Sequence, residues 1–313
     1  MRILITGGGG FLGRRLTSAL IAGPLASSLT ALTIADRVAI PVPADPRVRA
    51  VEGDLADPAF IDRLAAERFD GIFHLAASLT LDAERDPTAA YAVNVEALRH
   101  LIERAARPAA KLVFASSIAV FGGALPATVD DTICPAPTTT YGTHKAIAEL
   151  LLADESRRGR IDGRALRLPI VLTRPGAPSP TVSDRVAAIL REPLAGRDSL
   201  CPLAPETEIP IASAGAVAAA LLALHAIEPA ALPPGRAMNL PSLTVRVADM
   251  IAAVARRNAA GRVRIAPDEA LQSIVDGWPR RFVSTDATRL GLNADATIDA
   301  VIDDHLQDRG EYP

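Results

Sequence analysis

The segment that most constrains the fold is a run of glycines near the N-terminus, between an apolar stretch and an amphipathic one. Residues Ile3–Thr6 have the pattern of a buried strand, and the sequence continues as Gly-Gly-Gly-Gly-Phe-Leu-Gly. Gly7, Gly10 and Gly13 keep the G-x-x-G-x-x-G spacing, which permits a tight turn, close approach of a pyrophosphate and close helix packing. The N–H groups of the following helix would bind the phosphates. The segment therefore predicts a dinucleotide-binding unit.

Short apolar runs alternate with helical patterns through the first half of the chain. Asp57-Pro58 and Asp86-Pro87 each predict a helix start, because aspartate caps a helix and proline suits its first turn. Continuous apolar strands between helices are typical of a parallel sheet covered on both faces. We predict an α/β fold, a Rossmann-type doubly wound parallel sheet with a smaller, discontinuous C-terminal substrate domain. The predicted strands are Ile3–Thr6, Leu32–Asp36, Val48–Glu52, Ile72–Leu75, Leu112–Ser116 and Ala165–Pro169.

The pattern changes after Pro169, where prolines become frequent as far as Pro210. A helix over Ser213–Ile227 and a strand over Ala237–Leu240 are predicted to return to the main sheet. The predicted domains are therefore residues 1–172 with 211–240 for the dinucleotide, and residues 173–210 with 241–313 for the substrate.

The choice of cofactor depends on the residue that ends the second predicted strand. Asp36 lies 23 residues after Gly13. A carboxylate at this point can bond both ribose hydroxyls of NAD and repels a 2′-phosphate. Arg37 could accept that phosphate, which leaves use of NADP open, and an ordinary strand-end turn is the alternative explanation for Asp36. We predict NAD as the cofactor.

Tyr141 and Lys145 are four residues apart on a predicted helix and therefore share one face. A free phenol has a pKa of about 10, and a nearby ammonium and the cationic nicotinamide of NAD⁺ would lower it. Tyr141 could then take the proton of a substrate hydroxyl while hydride leaves for NAD⁺. The chain has 31 arginines but only two lysines, Lys111 and Lys145, which argues against a chance surface pair.

Ser116 ends the fifth predicted strand and Ser117 follows it. A serine at the carboxyl end of a parallel strand faces the ligand crevice and can hold a reacting oxygen by a hydrogen bond. A helix cap or a turn is the alternative explanation, above all for Ser116.

Charge and composition exclude several other classes of function. The formal net charge of −3 offers no basic surface for nucleic acid. No signal peptide is recognised, so a cytoplasmic location is predicted. The apolar stretch Ile209–Ile227 contains Ser213, Gly215 and His225 and is predicted to be a buried helix, not a membrane span. No metal-ligand spacing is found, and Ser117 has no evident histidine partner for acyl chemistry, so neither a metal nor a membrane partner is predicted.

Taken in order, these motifs resemble those of the extended short-chain dehydrogenases/reductases, the NAD-dependent epimerase/dehydratase superfamily. Further matches are Gly53-Asp-Leu55, His74-Leu-Ala-Ala77, Asn94-Val95, Val120-Phe-Gly122 and Leu166-Arg-Leu-Pro169. A narrower resemblance, to members that oxidise a four-carbon sugar acid, is carried by Phe121–Pro126, Tyr141–Ile147, Asp162–Pro169 and Gly277–Phe282. Ser78–Asp82 and Glu208–Ser213 depart from that narrower pattern.

The resemblance implies a role for each matching residue. Ser117, Tyr141 and Lys145 would be catalytic, with Tyr141 as proton acceptor and Lys145 also bonded to the nicotinamide ribose. The implied cofactor contacts are Gly7, Gly10, Phe11, Leu12, Gly13, Asp36, Arg37, Asp54, Leu55, Leu75, Ala76, Ala77, Asn94, Tyr141, Lys145, Pro169 and Val171. The candidate substrate contacts are Ser78, Ser117, Tyr141, Arg174 and Arg185, the arginines because a guanidinium pairs with a carboxylate.

The implied reaction is NAD-dependent oxidation of a short sugar acid at the carbon-2 hydroxyl, giving the 2-oxo acid. Alternatives within the superfamily are a nucleotide-sugar epimerase or dehydratase, or a uronate or hydroxysteroid dehydrogenase. A sensor that binds NAD(H) without catalysis is the alternative from another class. The resemblance also implies a homodimer or a larger even-numbered oligomer that pairs the helices near Asp86–Arg107 and Thr140–Arg158.

Overall fold

The computed structural model describes residues 1–172 and 181–311, with side chains as far as residue 307. The strands are β1 Arg2–Thr6, β2 Ala31–Asp36, β3 Val48–Glu52, β4 Phe69–His74, β5 Ala106–Ser117, β6 Thr128–Val129, β7 Asp162–Leu168, β8 Ile170–Leu172, β9 Ser199–Cys201, β10 Glu208–Ser213, β11 Ala237–Asn239, β12 Leu243–Arg246, β13 Val263–Ile265 and β14 Arg281–Phe282. The helices are α1 Phe11–Ala22, α2 Pro58–Ala65, α3 Thr80–Arg85, α4 Pro87–Tyr91, α5 Ala97–His100, α6 Thr140–Arg157, α7 Val182–Leu194, α8 Ala214–Ala226, α9 Val247–Arg256, α10 Glu269–Asp276, α11 Thr285–Arg289 and α12 Ile298–Glu311.

The first of two compact units contains residues 1–120, 135–167 and 218–238. It is built on a seven-stranded sheet in the order β3-β2-β1-β4-β5-β7-β11. β1 pairs in parallel with both β2 and β4, so the direction in which strands are added reverses beside β1. Ligands of doubly wound sheets bind at the carboxyl ends of the strands next to such a reversal. The predicted Rossmann-type sheet is thus confirmed.

Local sequence explains how the helices of this unit begin. The Asp57 carboxylate accepts a hydrogen bond of 2.9 Å from the Ala59 N–H, and Asp86 accepts one of 3.0 Å from the Ala89 N–H. Both predicted aspartate–proline starts are therefore confirmed. The helical stretch that begins at Pro87 is not regular, because π-helical turns at Ala92–Glu96 and Leu101–Ala105 flank α5.

The second compact unit contains residues 121–134, 168–217 and 239–313. Its largest sheet has the order β12-β10-β8, with β10 parallel to β8 and antiparallel to β12. Val186, Ile211, Val254 and Ile302 are among the buried side chains of its core. The predicted domain boundaries at residues 172, 210 and 240 remain predictions.

The prediction of one buried helix over Ile209–Ile227 is wrong at its first end. Residues 208–213 form β10, in which Ile209 and Ile211 pair with Val245 and Leu243 of β12. A uniformly apolar stretch does not distinguish a buried strand from a buried helix, whereas pairing partners far along the chain do. Within the described part of the chain, no helix has the length and apolar character needed to cross a membrane.

A fully buried arginine on β7, Arg164, connects the C-terminal end of α8 to the sheet of the first unit through hydrogen bonds. The Arg164 side chain on β7 has 0% exposure, and its Nη1 donates to the carbonyls of Leu224 at 2.6 Å and Ile227 at 2.7 Å. These carbonyls lie at the end of α8, where the helix leaves its last acceptors without internal donors. The guanidinium also pairs with Asp162, which Arg236 contacts as well at 2.7 Å.

We expect Arg164→Leu to lower the free energy of unfolding by about 3–5 kcal/mol, because it leaves buried carbonyls and part of the Asp162 charge without a donor. The matched control is Arg236→Leu, which removes the more exposed partner of Asp162 and should cost about 1 kcal/mol or less. Urea unfolding measures both. An equal decrease in the free energy of unfolding of the two variants would contradict the role of Arg164 in capping α8.

Candidate active site

The glycine turn between β1 and α1 has the shape that the sequence predicts. Gly7 has φ +71°, and a Cβ there would lie 2.7 Å from the Ala76 nitrogen. A Cβ on Gly13 would lie 2.5 Å from the Gly8 Cα, so only glycine lets α1 start this close to the turn. Among the described residues no side chain caps α1 at Gly10. The turn therefore fits a pyrophosphate bound by main-chain N–H groups.

Asp36 lies at the end of β2, next to this turn. Its Oδ2 accepts a hydrogen bond of 2.9 Å from the Gly9 N–H, which fixes the carboxylate beside the glycines. Arg37 follows on the surface, and Asp54 is also exposed, while Leu55 is buried. A carboxylate beside the glycine turn fits the acceptor that the ribose of a dinucleotide would need, and this role of Asp36 remains a prediction.

The segment after β4 is held by a buried asparagine. Leu75, Ala76, Ala77 and Ser78 are half-buried, and the Leu75 N–H donates to the Thr6 carbonyl at 3.1 Å. Asn94, which is 2% exposed, accepts from the Ser78 N–H at 2.7 Å and donates to the Ser78 carbonyl at 3.0 Å. Its amide therefore orders the segment, and its predicted contact with the cofactor remains a prediction.

The proposed catalytic residues lie together in the first unit. Thr139 caps α6 by accepting from the Gly142 N–H at 3.0 Å, and Tyr141 follows in the first turn. Ser117 lies at the end of β5, and its hydroxyl accepts from the Ala119 N–H at 3.1 Å. Burial raises the pKa of Tyr141 to about 12, and the nearby Ser117 hydroxyl opposes that rise.

Lys145 lies one helical turn after Tyr141 and is 2% exposed. Its Nζ donates to the Ala115 carbonyl at 2.7 Å and lies 5.5 Å from the centroid of the Tyr141 ring. Burial lowers the pKa of Lys145 from 10.5 to about 7, although the charge of Glu149 raises it. Burial therefore disfavours the charged form of Lys145. That charge lies close to the phenol whose ionisation it would favour.

Ser116 and Ser117 have different partners. The buried Ser116 hydroxyl donates to Glu149 at 2.5 Å, and Glu149 accepts from Arg167 Nε at 2.9 Å and Nη2 at 2.8 Å. Ser116 therefore belongs to a buried structural network, and Ser117 is the serine beside Tyr141. We did not predict Glu149 or Arg167, although the four-residue spacing from Lys145 to Glu149 indicates a shared helix face.

Phe11 and Leu12 begin α1 in the first unit, whereas Pro169, Val171 and Arg185 belong to the second unit. Val171 lies in β8, and Pro169 precedes that strand. Arg185 on α7 is about half-exposed and pairs with Asp268 at 2.9 Å, the surface ion pair that would explain it without a ligand. Arg174 lies outside the described residues. Within the described ranges, His, Cys, Asp and Glu form no group of three or more suited to a metal ion.

Comparison with known proteins agrees with this geometry. Residues 3–223 match the profile of the family described as "NAD dependent epimerase/dehydratase family". The D-erythronate dehydrogenase of Haemophilus influenzae is 38% identical over 315 residues, covering 98% of this chain and 99% of the relative. The D-erythronate dehydrogenase of Cupriavidus necator is 40% identical over 323 residues, covering 99% of each chain.

Solved structures show the same fold over the whole chain. A nucleoside-diphosphate-sugar epimerase from Agrobacterium tumefaciens has a TM-score of 0.92 at 33% identity, covering 99% of this chain and 95% of that one. A GalE-like L-threonine dehydrogenase from C. necator has a TM-score of 0.86 at 22% identity, covering 99% and 100%. The second likeness is one of fold alone.

A family profile that spans more than two thirds of the sequence and relatives that align from end to end confirm the resemblance found in the motifs. The chain belongs to the NAD-dependent epimerase/dehydratase family, the extended short-chain dehydrogenases/reductases.

Proposed function

We propose that this protein is an NAD-dependent dehydrogenase that oxidises D-erythronate at the carbon-2 hydroxyl to the 2-oxo acid. The observation that carries the proposal is the grouping of Ser117, Tyr141 and the buried Lys145 in the unit that contains the glycine turn. Two full-length relatives named D-erythronate dehydrogenase support the choice of substrate. By sequence, a dTDP-glucose 4,6-dehydratase and two UDP-glucose 4-epimerases match over 49% of the chain, about half the coverage of the two D-erythronate dehydrogenases.

The reaction divides into a proton transfer and a hydride transfer. The Ser117 hydroxyl holds the substrate oxygen by a hydrogen bond, and Tyr141 Oη takes the proton from that oxygen. NAD⁺ supplies the acceptor for the hydride that leaves carbon 2. The Lys145 ammonium stabilises the phenolate form of Tyr141 through its charge. Loss of one proton and one hydride from the CH–OH group gives the ketone of the 2-oxo acid.

The residues assigned to the cofactor have separate roles in this proposal. The N–H groups at the start of α1 bind the pyrophosphate, and Asp36 accepts from the adenosine ribose. Asn94 keeps the segment from Leu75 to Ser78 in place through its two bonds to Ser78. The roles of Arg174 and Arg185 in binding the substrate carboxylate remain predictions. We also propose a cytoplasmic homo-oligomer, and the 72% exposure of Leu150 on α6 supports the use of this helix as an interface.

The first test is formation of NADH with a panel of four- to six-carbon aldonates and uronates. We expect D-erythronate to be the best substrate with NAD⁺, and Tyr141→Phe to lower kcat by at least about a hundredfold because the proton acceptor is lost. NADH binding by Tyr141→Phe, followed by fluorescence, should stay close to that of the parent. If the parent binds NADH but turns over no substrate, the protein is a sensor. If it turns over only a uronate, the proposed substrate is wrong.

Lys145→Met should abolish turnover and yet raise the thermal unfolding temperature. The pKa of Lys145 is about 7 in the folded protein against 10.5 ordinarily, so the unfolded chain binds this proton more tightly. The resulting penalty is fully present below pH 7 and disappears as the pH rises towards 10.5. Tm of the variant should exceed that of the parent by about 2 °C or more near pH 6 and converge with it in alkali.

The matched control for this prediction is Lys111→Met, which removes the other lysine of the chain. Lys111 is only partly buried on β5, and its replacement should leave both turnover and the pH dependence of Tm close to those of the parent. A lower Tm for Lys145→Met at every pH would show that burial of the ammonium does not cost stability.

Asp36→Ser should reduce the preference for NAD⁺ over NADP⁺. The substitution removes the charge that repels a 2′-phosphate and leaves Arg37 to attract it, so the ratio of kcat/KM for the two cofactors should fall by about tenfold or more. Arg37→Ala is the control and should weaken the use of NADP⁺ with little effect on NAD⁺. An unchanged ratio of kcat/KM for the two cofactors in Asp36→Ser would show that Asp36 does not contact the adenosine ribose.

A further inference from the structure

Three buried side chains form a row across adjacent parallel strands of the first unit. The strand register places Thr6 of β1 opposite His74 of β4, and His74 opposite Phe114 of β5. The Thr6 hydroxyl and His74 Nδ1 share a hydrogen bond of 2.7 Å. The His74 and Phe114 rings stack with centroids 5.8 Å apart and an angle of 19° between their planes. Each is at most 1% exposed, so the Phe114 ring is held in one orientation.

The row ends at the Lys145 ammonium. Lys145 Nζ lies 4.4 Å from the centroid of the Phe114 ring, which is closer than its 5.5 Å from the Tyr141 ring. An ammonium has three N–H donors, and the bond to the Ala115 carbonyl uses one of them. The face of an aromatic ring attracts a cation, most strongly where water is excluded. Phe114 therefore supplies a contact that replaces water for a buried charge.

We propose that Phe114 is a positioning residue of the catalytic group, whose ring holds the Lys145 ammonium, in its charged form, beside Tyr141. The proposal rests on the proposed function, because it gives Lys145 the task of stabilising a phenolate. Phe114 acts through Lys145 and has no assigned contact with substrate or cofactor.

The other titratable groups around Lys145 do not perform this task by direct contact. Glu149 lies one turn further along α6 and raises the pKa of Lys145 by its charge, but its oxygens bond Ser116 and Arg167. Burial and the charge of Lys145 lower the pKa of His74 to about 3, so His74 is neutral at physiological pH. The direct contacts of the ammonium in the described residues are therefore the Ala115 carbonyl and the aromatic rings.

The small number of lysines makes the test direct. Protein labelled with ¹³C at lysine Cε gives two lysine signals, one from Lys145 and one from Lys111, which serves as an internal control. Phe114→Met keeps an apolar side chain but removes the ring. We expect its Lys145 to bind the proton about two- to thirty-fold more weakly, seen as a lower titration midpoint, because the cation–π contact is lost.

A matched control is available on the neighbouring strand. Phe73 of β4 is also fully buried, but its ring stacks on His225 with centroids 5.3 Å apart, whereas the rings over which Lys145 lies are those of Phe114 and Tyr141. Phe73→Met should leave the Lys145 titration unchanged. In turnover assays, kcat of Phe114→Met should fall below that of the parent near neutral pH, where the variant has lost more of the Lys145 proton, and the two values should converge as the pH is lowered below both midpoints. KM for NAD⁺ should change little, and kcat of Phe73→Met should keep the pH profile of the parent.

The titration separates this proposal from the proposed function, because it needs no substrate. An unchanged Lys145 midpoint in folded Phe114→Met would overturn the role of Phe114, even if the parent oxidises D-erythronate. A shifted midpoint in a protein that oxidises no sugar acid would support the contact and reject the proposed function. If Phe114→Met does not fold, trifluorophenylalanine at position 114 keeps the shape of the ring and weakens its attraction for a cation. The same lower midpoint is then expected, and an unchanged one would overturn the proposal.

Discussion

The site depends on keeping one ammonium in a place from which water is excluded. Burial of Lys145 weakens its hold on the proton, and a single backbone carbonyl, aromatic faces and the more distant charge of Glu149 oppose that effect. Each of these groups is supplied by β5 or α6, so the two elements must be adjacent and in fixed register. The buried Glu149–Arg167 pair, whose Arg167 comes from β7, extends the same constraint to the next strand.

The parallel sheet makes this arrangement possible because the carboxyl ends of its strands lie along one edge. Thr6 ends β1, His74 ends β4 and Ser117 ends β5, so groups that are far apart in sequence lie together. At the same edge, Gly7 lets the main chain approach the segment after β4 to a distance that a side chain would prevent. The turn that fits a pyrophosphate and the row that leads to Lys145 are thus two results of one strand order.

The parts of the fold that could be predicted are those determined by short stretches of sequence. Continuous apolar runs indicated the strands of the main sheet, aspartate–proline pairs indicated helix starts, and a spacing of four residues placed Tyr141 and Lys145 on one face. Phe114 could not be predicted as a neighbour of Lys145, because their contact depends on the register between strands and on how α6 packs. The partner of Arg185 is Asp268, 83 residues away, so sequence could not distinguish an ion pair from a ligand contact. The prediction of one helix over Ile209–Ile227 was wrong at its first end because its apolar residues show no periodicity that would distinguish a strand from a helix.

The opposite pKa shifts of the two proposed catalytic groups, Tyr141 and Lys145, bear on the conditions under which Tyr141 could act as a base. Burial raises the pKa of Tyr141 to about 12 and lowers that of Lys145 to about 7, so the low-dielectric setting favours the uncharged form of both. In the proposed site, the Lys145 ammonium would favour the phenolate, and the positive charge of an oxidised nicotinamide would favour it further. Proton removal by Tyr141 would then be coupled to the presence of the hydride acceptor.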